Sequence, residues 1–121
     1  MSIYRLYAGD DGLTYMEERD ENQYPRRDSP QTVFSLTFVT FEVERFIDRH
    51  PAPRRQYGFV HRGIMEIGLG DGTLHRFKPG DILLLENTTG QGHTTRVIGD
   101  EPVILALVQL EKIAEERHHV L

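Results

Sequence analysis

The sequence contains no cysteine, which excludes disulfide staples, thiolate catalysis and cysteine-based zinc sites together. Long apolar runs are also missing. The longest clean stretches, such as Val103–Val108 and Ile82–Leu85, fall far below the ~18 residues a spanning helix requires, so no membrane span is expected. Positive charge is in short supply: 14 Lys and Arg stand against 19 Asp and Glu, a net charge of -5, with the arginines scattered. A broad electrostatic grip on nucleic acid is therefore not expected. The opening residues MSIYRLYAGDDG have no apolar h-region, and the expectation drawn from this is a cytoplasmic protein. Serine is scarce, with Ser2, Ser29 and Ser35 alone and none beside a histidine, and no Gly-x-Ser-x-Gly elbow exists. Lys78 is followed by proline and belongs to no phosphate-binding loop, and Gly68-x-Gly70-x-Gly72 opens no helix after a strand. Chemistry is left to His, carboxylates, amides, Arg and hydroxyls.

What is present reads as one domain over residues 1–121. Segment Ile3–Ala8 has strand character, Gly9–Gly12 is a turn signal, and Leu13–Glu17 is a second short strand. Residues 18–31 are polar and broken by Pro25 and Pro30, the pattern of a surface loop. From Val33 to Ile47 the chain is rich in β-branched and aromatic residues. Short strands follow at Tyr57–His61, Ile64–Leu69, Leu74–Phe77, Ile82–Leu85, Thr94–Ile98 and Val103–Leu110, punctuated by glycine turns. That spacing is the signature of an antiparallel sandwich or barrel, and Gly70-Asp71-Gly72 marks a hairpin. Only Gln109–His119 reads as a helix, with Leu110, Ile113 and Ala114 facing inward and His118 and His119 at its carboxyl end.

Residues 50–93 carry a more specific pattern. Gln56–Gly63 is followed by an apolar strand, a Gly-Asp-Gly turn, another strand, Pro79-Gly80-Asp81, an apolar strand and His93. This resembles the cupin superfamily, whose first motif is roughly G-x5-H-x-H-x3,4-E-x6-G and whose second is G-x5-P-x-G-x2-H-x3-N. Gln56-x6-Gly63 keeps the E-x6-G spacing with Gln replacing Glu. Gly80 opens the second motif, and His93 takes its histidine position if two residues are inserted around Thr88-Thr89. The H-x-H element fits in two registers, His50-x-Ala52 with the second histidine lost, or Asp48-x-His50 with one residue added to the turn. The resemblance spans about residues 33–110 and implies an all-β, antiparallel cupin-type barrel (a double-stranded β-helix or jelly roll) with the short helix packed outside.

It also implies a site. Alternation would place Asp48 and His50 on one face of a strand, and the Pro51–Arg55 turn would fold Gln56 back beside them. His93 would arrive from another strand. Imidazole with carboxylate or amide oxygen suits Zn, Fe(II), Mn, Ni or Cu, so His50, Gln56, His93 and Asp48 are the candidate ligands, with His50 and His93 also placed to move protons. Arg54 and Arg55, if not simply solvated, present guanidinium forks to a carboxylate or phosphate. Tyr57 and Phe59 line either the cavity or a dimer interface. His61 has the opposite parity to Gln56 and should face away. The expected function is a metal-dependent enzyme acting on a small polar organic molecule by oxygenation, isomerisation or lyase chemistry. The alternative is a non-catalytic cupin that senses or carries a small ligand. A homodimer is expected, with Ile3, Leu6 or Tyr7 at the contact, because a free edge strand at the amino terminus would be unstable.

Overall fold

Runs with one buried face per strand dictate paired sheets, and the computed structural model shows how they pair over the residues it describes, 2–112. The strands are β1 (Ile3–Ala8), β2 (Thr14–Glu18), β3 (Ser35–Phe41), β4 (Phe46–His50), β5 (Gln56–Arg62), β6 (Ile64–Gly68), β7 (Leu74–Phe77), β8 (Ile82–Leu85), β9 (His93–Ile98) and β10 (Val103–Gln109). They form a six-stranded sheet in the order β2-β1-β8-β5-β10-β3 and a four-stranded sheet in the order β4-β9-β6-β7.

The expected barrel is therefore two facing sheets that do not close. Their connections are made by turns rather than ladders, as at Glu42–Arg45, where Arg45 N donates to the Glu42 carbonyl. Gly63 is the sharpest of these junctions. It alone separates β5 in one sheet from β6 in the other, at φ 78°, and a Cβ there would strike the backbone of Pro102 and Val103.

Each inner face supplies the core by strict alternation. On β10, Val103, Leu105, Leu107 and Gln109 point inward, and on β9 His93, Thr95 and Val97 do. The apolar cluster gathers Leu6, Phe41, Val60, Met65, Ile67, Phe77, Leu83, Leu85 and Leu105. Burial of each such side chain stabilises the fold by about 1.5–3 kcal/mol relative to exposure. The inward rows are graded. On β5 the row runs Gln56, Gly58, Val60, on β9 His93, Thr95, Val97, and on β10 Gln109, Leu107, Leu105, Val103. One end of the interior is polar and the other apolar.

Three expectations are corrected. β1 pairs in parallel with β8, through Ile3–Leu6 against Ile82–Leu85, so the sheet is not wholly antiparallel. The same pairing places β1 between β2 and β8, so it is no free edge, and its Ile3 and Leu6 are buried. Those two residues cannot form a dimer contact, and Tyr7 lies against Tyr15 and the Arg5 guanidinium. Finally, Gln109 ends β10 and Leu110–Lys112 are not helical; the rest of the expected helix, to His119, lies outside the described residues.

Candidate functional site

The polar end is built where β4 passes to β5. His50 closes β4, the turn Pro51–Arg55 crosses between the sheets, and Gln56 opens β5. Ala52 N donates to the Asn87 carbonyl, which ties the turn to the segment after β8. His93, the first residue of β9, pairs with His50, and their ring centroids are 5.1 Å apart. His93 is fully buried and Gln56 is 1% exposed. Ser35 and Thr37 of β3, Pro53, Arg54, Gln56, Leu107 and Gln109 line a cleft of about 60 Å3 at this end. Gln109 holds its neighbours, accepting from Ser35 Oγ at 2.6 Å and donating to Thr37 Oγ1 at 3.2 Å.

Asp48 does not join the group. Between Ile47 and His50 the β4–β9 register slips: Ile47 faces Thr95 and His50 faces His93, so that Asp48 and Arg49 stand against Thr94 alone. This bulge turns Ile47 and His50 inward together and leaves Asp48 exposed, where it accepts from Arg49 N at 2.7 Å. Simple alternation had placed Asp48 beside His50.

Arg55 and Tyr57 are also turned away from the interior. Arg55 donates from Nε and Nη2 to Glu86 Oε2 at 2.9 and 2.7 Å, while Arg5 Nε donates to Glu86 Oε1 at 2.5 Å. Tyr57 has the parity opposite to Gln56 and packs outside, against Ile3, Ile82 and Leu84. Burial raises its hydroxyl pKa, so it remains a donor at neutral pH. His61 is exposed, as its parity requires, and His75 packs between Tyr4 and Phe77 at 4.6 and 4.7 Å. Of the two arginines singled out in the turn, Arg54 alone borders the interior cleft.

Burial pushes the Glu86 carboxyl up, but hydrogen bonds and charge from Arg5 and Arg55 outweigh it, and its pKa lies below the ordinary 4.5. A depressed folded pKa means stability that is present above about pH 4.5 and lost as pH falls through the folded value. Glu86→Gln leaves two guanidinium groups facing an amide and should cost about 2 kcal/mol at pH 7. Thermal melts should show the gap between wild type and Glu86→Gln closing as pH is lowered from about 5 to 3.

Sequence reasoning missed Asn87. It is fully buried, its Nδ2 lies 3.3 Å from Thr14 Oγ1 and 2.7 Å from His93 Nδ1, and its Oδ1 is buried without a hydrogen-bond partner. The available signal was an amide two residues after the apolar strand Ile82–Leu85 and six residues before a histidine.

The residues can be tested against the metal that such a fold implies. His50 Nδ1 lies 2.7 Å from the Asp48 carbonyl, which only accepts, so Nδ1 carries the proton and the lone pair of the neutral ring is on Nε2. For His93 the Asn87 amide decides: presenting oxygen it accepts Nδ1–H and leaves the Nε2 lone pair, presenting nitrogen it does the reverse, and both use the same atom positions. His50 and His93, with the Gln56 amide buried at the same end, are the residues that would hold such an ion. Among the described residues no three of His, Cys, Asp and Glu converge.

The arrangement of strands has solved counterparts. The chain is similar to the cupin domain of Schizosaccharomyces pombe Cnp3, with a TM-score of 0.53 at 14% identity over 92% of this chain and 83% of that one. It is also similar to an uncharacterized conserved protein with a double-stranded beta-helix domain from Klebsiella pneumoniae, with a TM-score of 0.51 at 24% identity over 81% and 90%. The chain has the cupin fold. No protein-family model and no curated protein matches the sequence. In this fold the polar end of the interior is thus the mouth between the two sheets. No helix among the described residues is long and apolar enough to cross a membrane.

Proposed function

We propose that this cupin is a metal-dependent enzyme in which His50, His93 and Gln56 hold a divalent transition-metal ion at the mouth and Arg54 orients a small polar organic substrate. The observation that supports the reading most is the spacing of the two imidazoles, 5.1 Å between centroids, with the His50 tautomer set by the Asp48 carbonyl. Gln56 brings an amide oxygen, and Arg54 brings the guanidinium that pairs with a carboxylate or other anionic group. When bound, a Zn, Fe(II), Mn, Ni or Cu ion polarises a carbonyl or activates water or O2, the chemistry of isomerases, lyases and oxygenases. The residues around it exclude water, since His93, Gln56 and Asn87 are almost wholly buried.

A second reading, a non-catalytic cupin that binds a small organic ligand, draws support from the hydrogen-bonded row of Ser35, Thr37 and Gln109 and from the absence of a carboxylate lining the cleft. Elemental analysis of protein purified without a tag or chelator separates the two. The metal reading requires about one ion per chain and a raised melting temperature on reconstitution. Well under about 0.2 ion per chain, with no thermal shift on adding Zn, Mn, Ni or Fe(II), overturns it in favour of the organic-ligand reading.

A further inference from the structure

The polar segment between β2 and β3 is tied down along its length. Asp20 caps the 3-10 turn Glu21–Gln23, accepting from Asn22 N at 3.1 Å, while Gln23 Oε1 accepts from Asp20 N at 3.1 Å. Arg26 and Ser29 exchange backbone hydrogen bonds at 3.2 and 3.0 Å. Ile3 N donates to Tyr24 Oη at 3.3 Å, and Tyr24 packs on Ile3, Ile82 and Leu84. The segment is thereby a roof over the outer face of β1, β8 and β5, and two hollows lie between roof and sheet. One, of about 340 Å3, is polar and bordered by Arg19, Asn22, Arg55 and Glu86. The other, of about 370 Å3, is bordered by Val33, Phe59, Ile82 and Val108. They share Tyr24, Gln31 and Tyr57 as a common wall, and neither has a residue in common with the interior cleft.

We propose that this two-part groove binds a small organic carboxylate with an apolar body, the carboxylate on Arg19 and Arg55 and the body against Val33, Phe59 and Val108. Charge selects the polar group. The chain carries a net charge of -5, yet Arg19, Arg26 and Arg55 border the groove against one carboxylate, Glu86, among the described lining residues. Glu86 is itself neutralised by Arg5 as well as Arg55. Arg55 gives Glu86 two of its five N–H donors and keeps three. Arg19 is half-buried and has no ion pair among the described residues. Both guanidinium groups lie near enough to act on the Tyr57 hydroxyl, a further donor in the shared wall. Forks so placed match carboxylate oxygens. Apolar surface selects the body: Val33 and Phe59 are 50% and 39% exposed beside the second hollow and gain by being covered. An inorganic anion would leave that hollow wet, and a neutral hydrocarbon would leave Arg19 without a counter-charge. Each hollow is of the size that small ligands occupy. No residue proposed to hold metal or orient substrate takes part, so this proposal and the functional reading fail independently.

Titration of the isotope-labelled chain with octanoate, followed by amide chemical shifts, tests it. The amides of Tyr24, Tyr57 and Phe59 should shift saturably with Kd of about 1 mM or tighter, and acetate and 1-octanol, which each lack one half of the ligand, should bind at least about tenfold more weakly. Arg19→Gln should weaken octanoate about tenfold and leave 1-octanol unchanged. Gln31→Glu, which sets a carboxylate in the shared wall, serves as the second variant should Arg19→Gln fail to fold, and should weaken octanoate by a similar factor. Arg76→Gln removes one positive charge on β7, away from the groove, and should change nothing. No saturable shift by about 10 mM octanoate, shifts confined to other residues, 1-octanol binding as tightly as octanoate, or folded variants of Arg19 and Gln31 with wild-type affinity would each overturn the proposal.

Discussion

Replacement of His93 by alanine is expected to abolish high-affinity binding of a divalent ion, weakening it by at least about 100-fold, since loss of even an outer partner of a ligand costs 10–100-fold. The imidazole is fully buried and its ring faces that of His50 at 5.1 Å, so no solvent-exposed group can take its place without moving β9. The substitution also removes the group against which Asn87 packs at 2.7 Å, and a stability loss of about 1–3 kcal/mol accompanies it. His50→Ala, at a half-buried position, should lose the ion with a smaller change in melting temperature. Isothermal titration of both variants, checked for fold by circular dichroism, distinguishes the outcomes. Retained affinity in folded His93→Ala would remove this residue from the ligand set.

The second large effect is expected at Gly92, which carries no chemistry of its own. It sits at φ 81° directly before His93, and a Cβ there would overlap the carbonyl carbon and oxygen of His50 and the nitrogen of Pro51. Those are backbone atoms and cannot swing aside as a side chain would. Gly92→Ala should therefore cost at least about 3 kcal/mol, combining left-handed backbone strain with displacement of β4 from β9. For a domain of this size that lowers the melting temperature by roughly 10 °C. Because the clash falls on His50 itself, ion binding should weaken together with stability. A Gly92→Ala protein with wild-type melting temperature would show that the close approach of the His50 backbone is not maintained in solution.

Much of the fold was legible because alternation and turn chemistry agreed from Tyr57 onward, where β5 to β10 fall within a residue or two of the expected strands. The long run Val33–Ile47 concealed a break. Glu44 takes φ 69° in the turn between β3 and β4, a conformation that no glycine, proline or Asn-Gly pair announced. The parallel pairing of β1 with β8 was hidden for a different reason: partners nearly 80 residues apart leave no local signal. At the site, His50, Gln56 and His93 were singled out through the cupin resemblance; the two histidine rings lie 5.1 Å apart and Gln56 is buried. Asp48 misled because a bulge changes parity without changing composition. Arg55 and Tyr57 line an open pocket with Leu84 and Glu86 rather than the interior cleft. The alternation that sends His61 outward sends Tyr57 outward too, and Arg55 is taken by Glu86, a carboxylate 31 residues further along the chain.

The most direct measurement is a crystal structure of metal-reconstituted protein with diffraction collected on both sides of the absorption edge of the added ion. The metal reading predicts one anomalous peak per chain at the mouth, about 2.0–2.2 Å from Nε2 of His50, Nε2 of His93 and the amide oxygen of Gln56. No peak there at full occupancy of the added metal, or a peak bound to other side chains, would contradict it.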